Sequence, residues 1–276
     1  MTIDRSVLRL VRGQATSDGA GVSLKRVIGG QPLPQLDPFL LLDEFGSNDP
    51  SAYIAGFPDH PHRGFETVTY MLEGRMRHKD NKGHEGVLTP GAVQWMTAGR
   101  GLIHSEMPEQ EAGAMRGFQL WVNLPAAAKM SQPRYQEFPA TALPKVELAA
   151  GVCATVIAGK LGGATGAVTG IAVEPLYVDL RFDPGARHDA PVAAGLQGFV
   201  YVFDGLARVA DTIVPAGTLA VLSDGDRVRL ATDAGASLLL IAGRPINEPI
   251  ARYGPFVMNT EAEIRQAFAD YQAGRL

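Results

Sequence analysis

Short apolar runs, each broken within a few residues by Gly, Pro, Asp or Asn, recur along almost the whole chain and leave little room for long helices. The first series contains "SVLRLV", "FLLLDEF", "ETVTYML", "GVLTPGAVQWM", "GLIHSEM" and "RGFQLWVNL". The second contains "VCATVIAG", "LYVDLRF", "GFVYVFDG", "LARVA", "GTLAVLS", "DRVRLAT" and "SLLLIAG". Between them "PAAAKMSQPRYQEFPATALPKVEL" loses periodicity and gains prolines, the pattern of a linker that opens with a brief helical turn. The chain of 276 residues therefore reads as all-β, with domains at 1–132 and 148–276 joined by a linker at 133–147.

The two halves share a register. Gly91 and Gly217 lie 126 positions apart, and so do His62 and His188, which points to an internal duplication. The Gly74 turn and its counterpart Gly205 differ by 131, so insertions separate the landmarks. The end of the chain breaks the β pattern. Thr260 followed by Glu263 forms a capping-box spacing, and Ile264, Phe268 and Tyr271 place one apolar stripe on a helix that should pack back on the fold.

Charge excludes one class of partner. With 25 basic and 29 acidic residues the net charge is -4, which offers no footprint for a phosphate backbone, so direct nucleic-acid binding is not expected. The single Cys153 sits in an apolar run, rules out an internal disulfide and suits a reducing compartment. No run approaches the length of a membrane span, and "MTIDRSVLRLVRG" lacks the unbroken apolar core of a signal peptide. The expectation is a cytoplasmic protein, working as a monomer and away from membranes.

The chemistry concentrates in "FPDHPHRGFETVTYMLEG". Residues i and i+2 of a strand face the same side, so His60 and His62 would present two imidazoles to one point, and Glu66 keeps that parity unless a bulge at Pro61 or Gly64 intervenes. "AGRGLIHSEMP" repeats the spacing with His104 and Glu106. One His-x-His occurs by chance in solvated loops; two matched pairs among apolar strands point to a metal such as Fe, Mn, Ni, Cu or Zn. His78 and His84 flank a charged hairpin, "RMRHKDNKGHEG", and read as surface or turn residues.

"HPHRGFE" followed by "EG" resembles the first motif of the cupin superfamily, and "GAVQWMTAG" followed by a histidine resembles the second. One residue more than usual separates Glu66 from Gly74, Thr97 stands where a proline is common, and His104 lies two residues late. "DPFLLLDEF", "FPDHPHRGFETVTYMLEG", "GAVQWMTAGRGLIHSEMP", "FQLWVNLP" and "GPFVMNT" are more closely similar to the pirin family, over nearly the whole chain. That resemblance implies two cupin-type antiparallel β-barrels, a bicupin, with a C-terminal helix. It further implies one divalent metal per chain, Fe(II) first and Mn, Ni, Cu, Co or Zn as alternatives, held by His60, His62, His104 and Glu106.

Glu66, a ligand in many other cupins, then becomes a supporting or pocket residue, together with Arg63, Phe65 and Arg100; salt bridging or core packing is the plainer role for these last three. The offset of 126 sets Ala186, Leu230 and Thr232 against His60, His104 and Glu106, so the second barrel should lack a metal, and His188 should be a hydrogen-bonded structural residue. The resemblance further implies a quercetin 2,3-dioxygenase that cleaves a flavonol with dioxygen, Glu106 taking the hydroxyl proton. Two alternatives stand beside it: a non-catalytic, iron-dependent regulator that works through a protein partner, and a cupin enzyme with an unrelated substrate.

Overall fold

The apolar runs become antiparallel strands because each alternates across a sheet whose two faces both meet other parts of the chain, so that "FETVTYM" is buried at every position. The computed structural model describes residues 2–276. Two compact units result. The C-terminal unit holds the chain through Gln14, Gly30–Pro38 and Thr141–Pro245; the N-terminal unit holds Ala15–Gly29, Phe39–Ala140 and Ile246–Leu276. Both ends of the chain thus depart from the linear division expected from the sequence.

In the N-terminal unit a seven-stranded sheet runs in the order Arg134–Phe138, Val93–Thr97, Phe65–Glu73, Met115–Asn123, Phe39–Ser47, Val22–Ile28, Gln14–Asp18. A second sheet of four orders Phe57–His62, Leu102–Pro108, Met76–Asp80 and Glu85–Leu88. The stretch expected to be a linker is largely strand. Arg134–Phe138 pairs with Val93–Thr97, and Lys145–Ala149 pairs with Val152–Ala158.

The C-terminal unit repeats this plan. Its main path runs Val7–Arg12, Thr218–Leu222, Gln197–Val209, Ala236–Gly243, Leu176–Phe182, Val152–Ala158, Lys145–Ala149; the last six repeat the order and connections of their counterparts, while the edge strand Val7–Arg12 comes from the start of the chain, where Arg134–Phe138 follows its own unit's strands. Duplication is therefore visible in topology. The ladder corrects the register, however: His188 pairs with Leu230, whereas His60 pairs with His104. With Leu230 as the counterpart of His104, His188 takes the place of His60 and not of His62.

Leu230 and its neighbours Ala190, Val202, Val228 and Leu238 belong to one apolar core of the C-terminal unit. Each buried Leu or Val there contributes about 1.5–3 kcal/mol, so this unit holds together by apolar burial where its twin carries histidines. His188 is half-buried and its Nε2 has no hydrogen-bond partner, in contrast to the hydrogen-bonded role expected for it.

Thr260 caps the helix Glu261–Gln272 with both halves of the capping box: Glu263 N donates to Thr260 Oγ1 at 3.3 Å and Thr260 N donates to Glu263 Oε2 at 2.8 Å. Ile264, Ala267 and Phe268 pack on Phe256 and Met258. Tyr271, expected in the buried stripe, remains 39% exposed. Among the described residues no helix is long and apolar enough to cross a membrane.

Both tryptophans, Trp95 and Trp121, lie in the N-terminal unit, so their fluorescence reports its unfolding. Thr260→Ala should lower the stability of that unit by about 1 kcal/mol, read as a lower urea midpoint with unchanged slope.

Candidate metal centre

Two strands bring the histidines together. Phe57–His62 and Leu102–Pro108 pair antiparallel with His60 opposite His104 and Leu102 opposite His62, and a register shift follows between His104 and Glu106. The donor atoms of His60, His62 and His104 lie within 4.8 Å of one another. Among the described residues this is the one group of three or more His, Cys, Asp or Glu so placed. The rings meet at centroid distances of 4.7 Å for His60 and His62, 4.5 Å for His60 and His104, and 5.0 Å for His62 and His104.

Hydrogen bonding fits a metal at this point. The Nδ1 of His60 lies 2.8 Å from the Pro58 carbonyl, which can only accept, so Nδ1 carries the proton and Nε2 keeps its lone pair. The Nδ1 of His62 and both ring nitrogens of His104 are buried without a partner. Buried imidazole nitrogens left unpaired are costly, and a shared cation removes that cost. Burial, reinforced by the neighbouring imidazoles, holds His62 and His104 well below the ordinary histidine range, so both imidazoles are neutral at neutral pH and have the form a metal requires.

Glu106 lines the same cavity but stands outside that three-imidazole group. Its Oε1 accepts from Thr69 Oγ1 at 2.8 Å and its Oε2 from Gln119 Nε2 at 3.0 Å. These partners belong to a row that crosses the large sheet in register: Arg26 opposite Asp43, Asp43 opposite Gln119, Gln119 opposite Thr69, Thr69 opposite Gln94, and Gln94 opposite Glu137. Residues directly opposite in an antiparallel pair share a face, so this polar row forms an inner floor behind Glu106.

Glu66 faces elsewhere. Gly64, at φ 89°, separates the His62 strand from the Phe65 strand, and a Cβ there would lie 2.0 Å from the Val257 carbonyl oxygen, so the chain turns where only glycine fits. The turn reverses parity: Thr69 reaches Glu106, while Glu66 accepts from Thr97 Oγ1 at 2.7 Å and is pushed up by burial. Lys129 braces the turn with bonds to the carbonyls of Gly64 and Val257 and to Asn123, and burial pushes its ammonium down to about 8.

Phe65 packs edge-on against His62 at 5.0 Å. Arg63 is buried, donating to the Arg100 carbonyl at 2.6 Å and to Asp270 at 2.8 Å, and so ties the C-terminal helix to the histidine strand. Hydrogen bonds from Arg63, then Arg275 and Gln266, hold Asp270 well below the usual carboxylate range. The Arg100 side chain is exposed.

His78 corrects the sequence reading. It is 5% exposed, lies opposite Glu106 in the ladder and bonds Glu137 through Nε2 at 2.6 Å, because Met76, His78 and Asp80 share the inward face of their strand. His84 is exposed as expected and reaches Asp80 at 2.9 Å.

A cavity of about 530 Å³ opens above the histidines. Leu24, Leu41, Phe45, Phe57 and Trp121 give it apolar walls; Arg26, Asp43 and Arg252 give it a charged margin. Sequence reasoning passed over Thr69, Gln119 and Trp121. The alternation in "TVTYM" and "FQLWV" was their signal, legible only once the inward parity of one member is known.

The family profile described as Pirin matches residues 21–122, and that of the Pirin C-terminal cupin domain matches residues 177–276. The chain belongs to the pirin family. It is 53% identical to the pirin-like protein of Caulobacter vibrioides over 272 residues, covering 98% of this chain and 99% of that one. To Pirin of Homo sapiens it is 44% identical over 280 residues, covering 99% and 94%. The crystal structure of a quercetin 2,3-dioxygenase from Acinetobacter baumannii superposes with a TM-score of 0.92 at 36% identity, covering 99% and 98%. Among pirins this chain therefore carries the family fold of two cupin domains with a histidine cluster suited to one metal in the N-terminal unit.

Because the folded protein keeps His62 and His104 neutral below the ordinary value of 6.5, the unfolded chain takes up protons first as the pH falls. Stability is full above that value and is lost below it, by about 1.4 kcal/mol per pH unit for each histidine. Urea titrations of metal-free protein should show this decline, and His104→Gln should flatten it.

Proposed function

We propose that this pirin is a mononuclear metal oxygenase of the quercetin 2,3-dioxygenase type, loaded with Fe(II) and cleaving a flavonol. The observation that supports this most is the convergence of three imidazoles within 4.8 Å, those of His62 and His104 neutral and with buried unpaired nitrogens, beside a cavity large enough for a small planar molecule. His60, His62, His104 and Glu106 would hold the metal. Bound there, Fe(II) would supply Lewis acidity toward the 3-hydroxyl and 4-keto oxygens and one-electron chemistry toward dioxygen.

The protein's own residues do the rest. Glu106 accepts the hydroxyl proton, and Thr69 and Gln119 fix the carboxylate in place while it does so. Trp121, Phe45 and Phe57 give the flavonol apolar walls and keep bulk water from the ring that opens. Overall, one dioxygen is consumed and one carbon monoxide leaves.

Anaerobic reconstitution with Fe(II), followed by oxygen and quercetin, should bleach the flavonol absorbance and release carbon monoxide in equal amount. His104→Ala should lose both metal and turnover. Absence of turnover with Fe, Mn, Co, Ni and Cu in turn would overturn the enzymatic reading and favour a metal-dependent regulator acting through a protein partner.

A further inference from the structure

The cavity margin carries two arginines in very different circumstances. Arg26 is committed: it grips Asp43 through Nε at 3.0 Å and Nη2 at 2.7 Å, and the same Nη2 meets Asp18 at 2.6 Å. A guanidinium engaged by two carboxylates has little left for a ligand. Arg252, on the Ala251–Tyr253 strand, is exposed and has no such partner. Its one hydrogen bond among the described residues goes to the Leu40 carbonyl at 3.1 Å, while Asp43 and Asp18 act on it only at longer range.

Arg252 is nevertheless held in place. Its Cζ lies 4.8 Å above the Trp121 ring, and Trp121 in turn stands edge-on to His62 at 5.3 Å. A guanidinium held over an aromatic face by cation–π attraction keeps its N–H donors for other partners, and those donors suit a carboxylate or an ionised phenol. Two contacts of about one ring each thus connect the metal position with a positive charge, and Trp121 and Arg252 both line the cavity.

We infer that Arg252 is the specificity-determining residue of the cavity, anchoring an anionic group at the far end of a planar aromatic ligand whose other end meets the metal. This rests on the reading of the cavity as the substrate site, and it narrows that reading to aromatic acids and flavonols bearing an ionised hydroxyl. Asp18 and Asp43 are already tied to Arg26, which leaves Arg252 as the cavity guanidinium without a carboxylate partner.

Calorimetric titration of the full chain with naphthalene-2-carboxylate and with the neutral naphthalene-2-carboxamide tests this without any turnover. The wild type should bind the carboxylate about tenfold more tightly, the size of one charge-assisted hydrogen bond. Arg252→Met should abolish that preference while still binding the amide, and Arg252→Lys should keep part of it. If Arg252→Met fails to fold, Arg252→Gln, which can still donate to the Leu40 carbonyl, carries the same expectation. Equal binding of the two compounds by the wild type, or no binding of either, overturns the inference. So does a preference that survives in Arg252→Met, since the metal and not the arginine would then select the anion. A flavonol assay without turnover would leave these results unaffected, and equal binding here would leave that assay unaffected.

Discussion

The antiparallel pairing of Phe57–His62 with Leu102–Pro108 is the constraint on which the histidine cluster of the N-terminal unit depends. Cross-strand neighbours in such a pair approach to about 5 Å, which is the separation that lets imidazoles on two strands address one ion. His60 and His104 are such neighbours, and His62 arrives from the next inward position. The surroundings serve this pair. Gly64 permits the turn that follows His62, Lys129 locks that turn, and Arg63 fastens it to Asp270 of the terminal helix. The helix, formed by residues some two hundred positions away, therefore stiffens the strand that carries two of the imidazoles.

The polar row from Arg26 to Glu137 shows how one face of a sheet can be specialised without loss of packing. Six strands each contribute one polar residue at the same level, flanked by apolar neighbours such as Phe118, Leu120, Val68 and Val93 that are fully buried. In the C-terminal unit the same strand order encloses an apolar core with Leu230 at the counterpart of His104. One topology thus supports either a chemical interior or an inert one, and the inward residues decide which.

Much of this was legible in the sequence. Alternation and turn residues announced strands, a repeated landmark announced duplication, and i, i+2 spacing singled out His60, His62 and His104, which converge, and Glu106, which lines the same cavity outside that group. What was missed depends on pairing at a distance. Parity could not be carried from His62 to Glu66 because Gly64 turns the chain between them. Arg134–Phe138 looked like linker because its partner strand, Val93–Thr97, lies forty residues back. His78 seemed to belong to a solvated hairpin, yet the hairpin's inward face closes over Glu106. Trp121 and Arg252 form one contact from residues far apart in the chain, and no local pattern announces it.

The central claim is that one metal ion occupies the space among these side chains. Diffraction from crystals of the Fe(II)-loaded protein, collected above and below the iron absorption edge, tests it most directly. A single anomalous peak per chain is expected, bonded to nitrogens of His60, His62 and His104 and to the Glu106 carboxylate. An iron peak elsewhere, or one whose neighbours exclude His104, would contradict it.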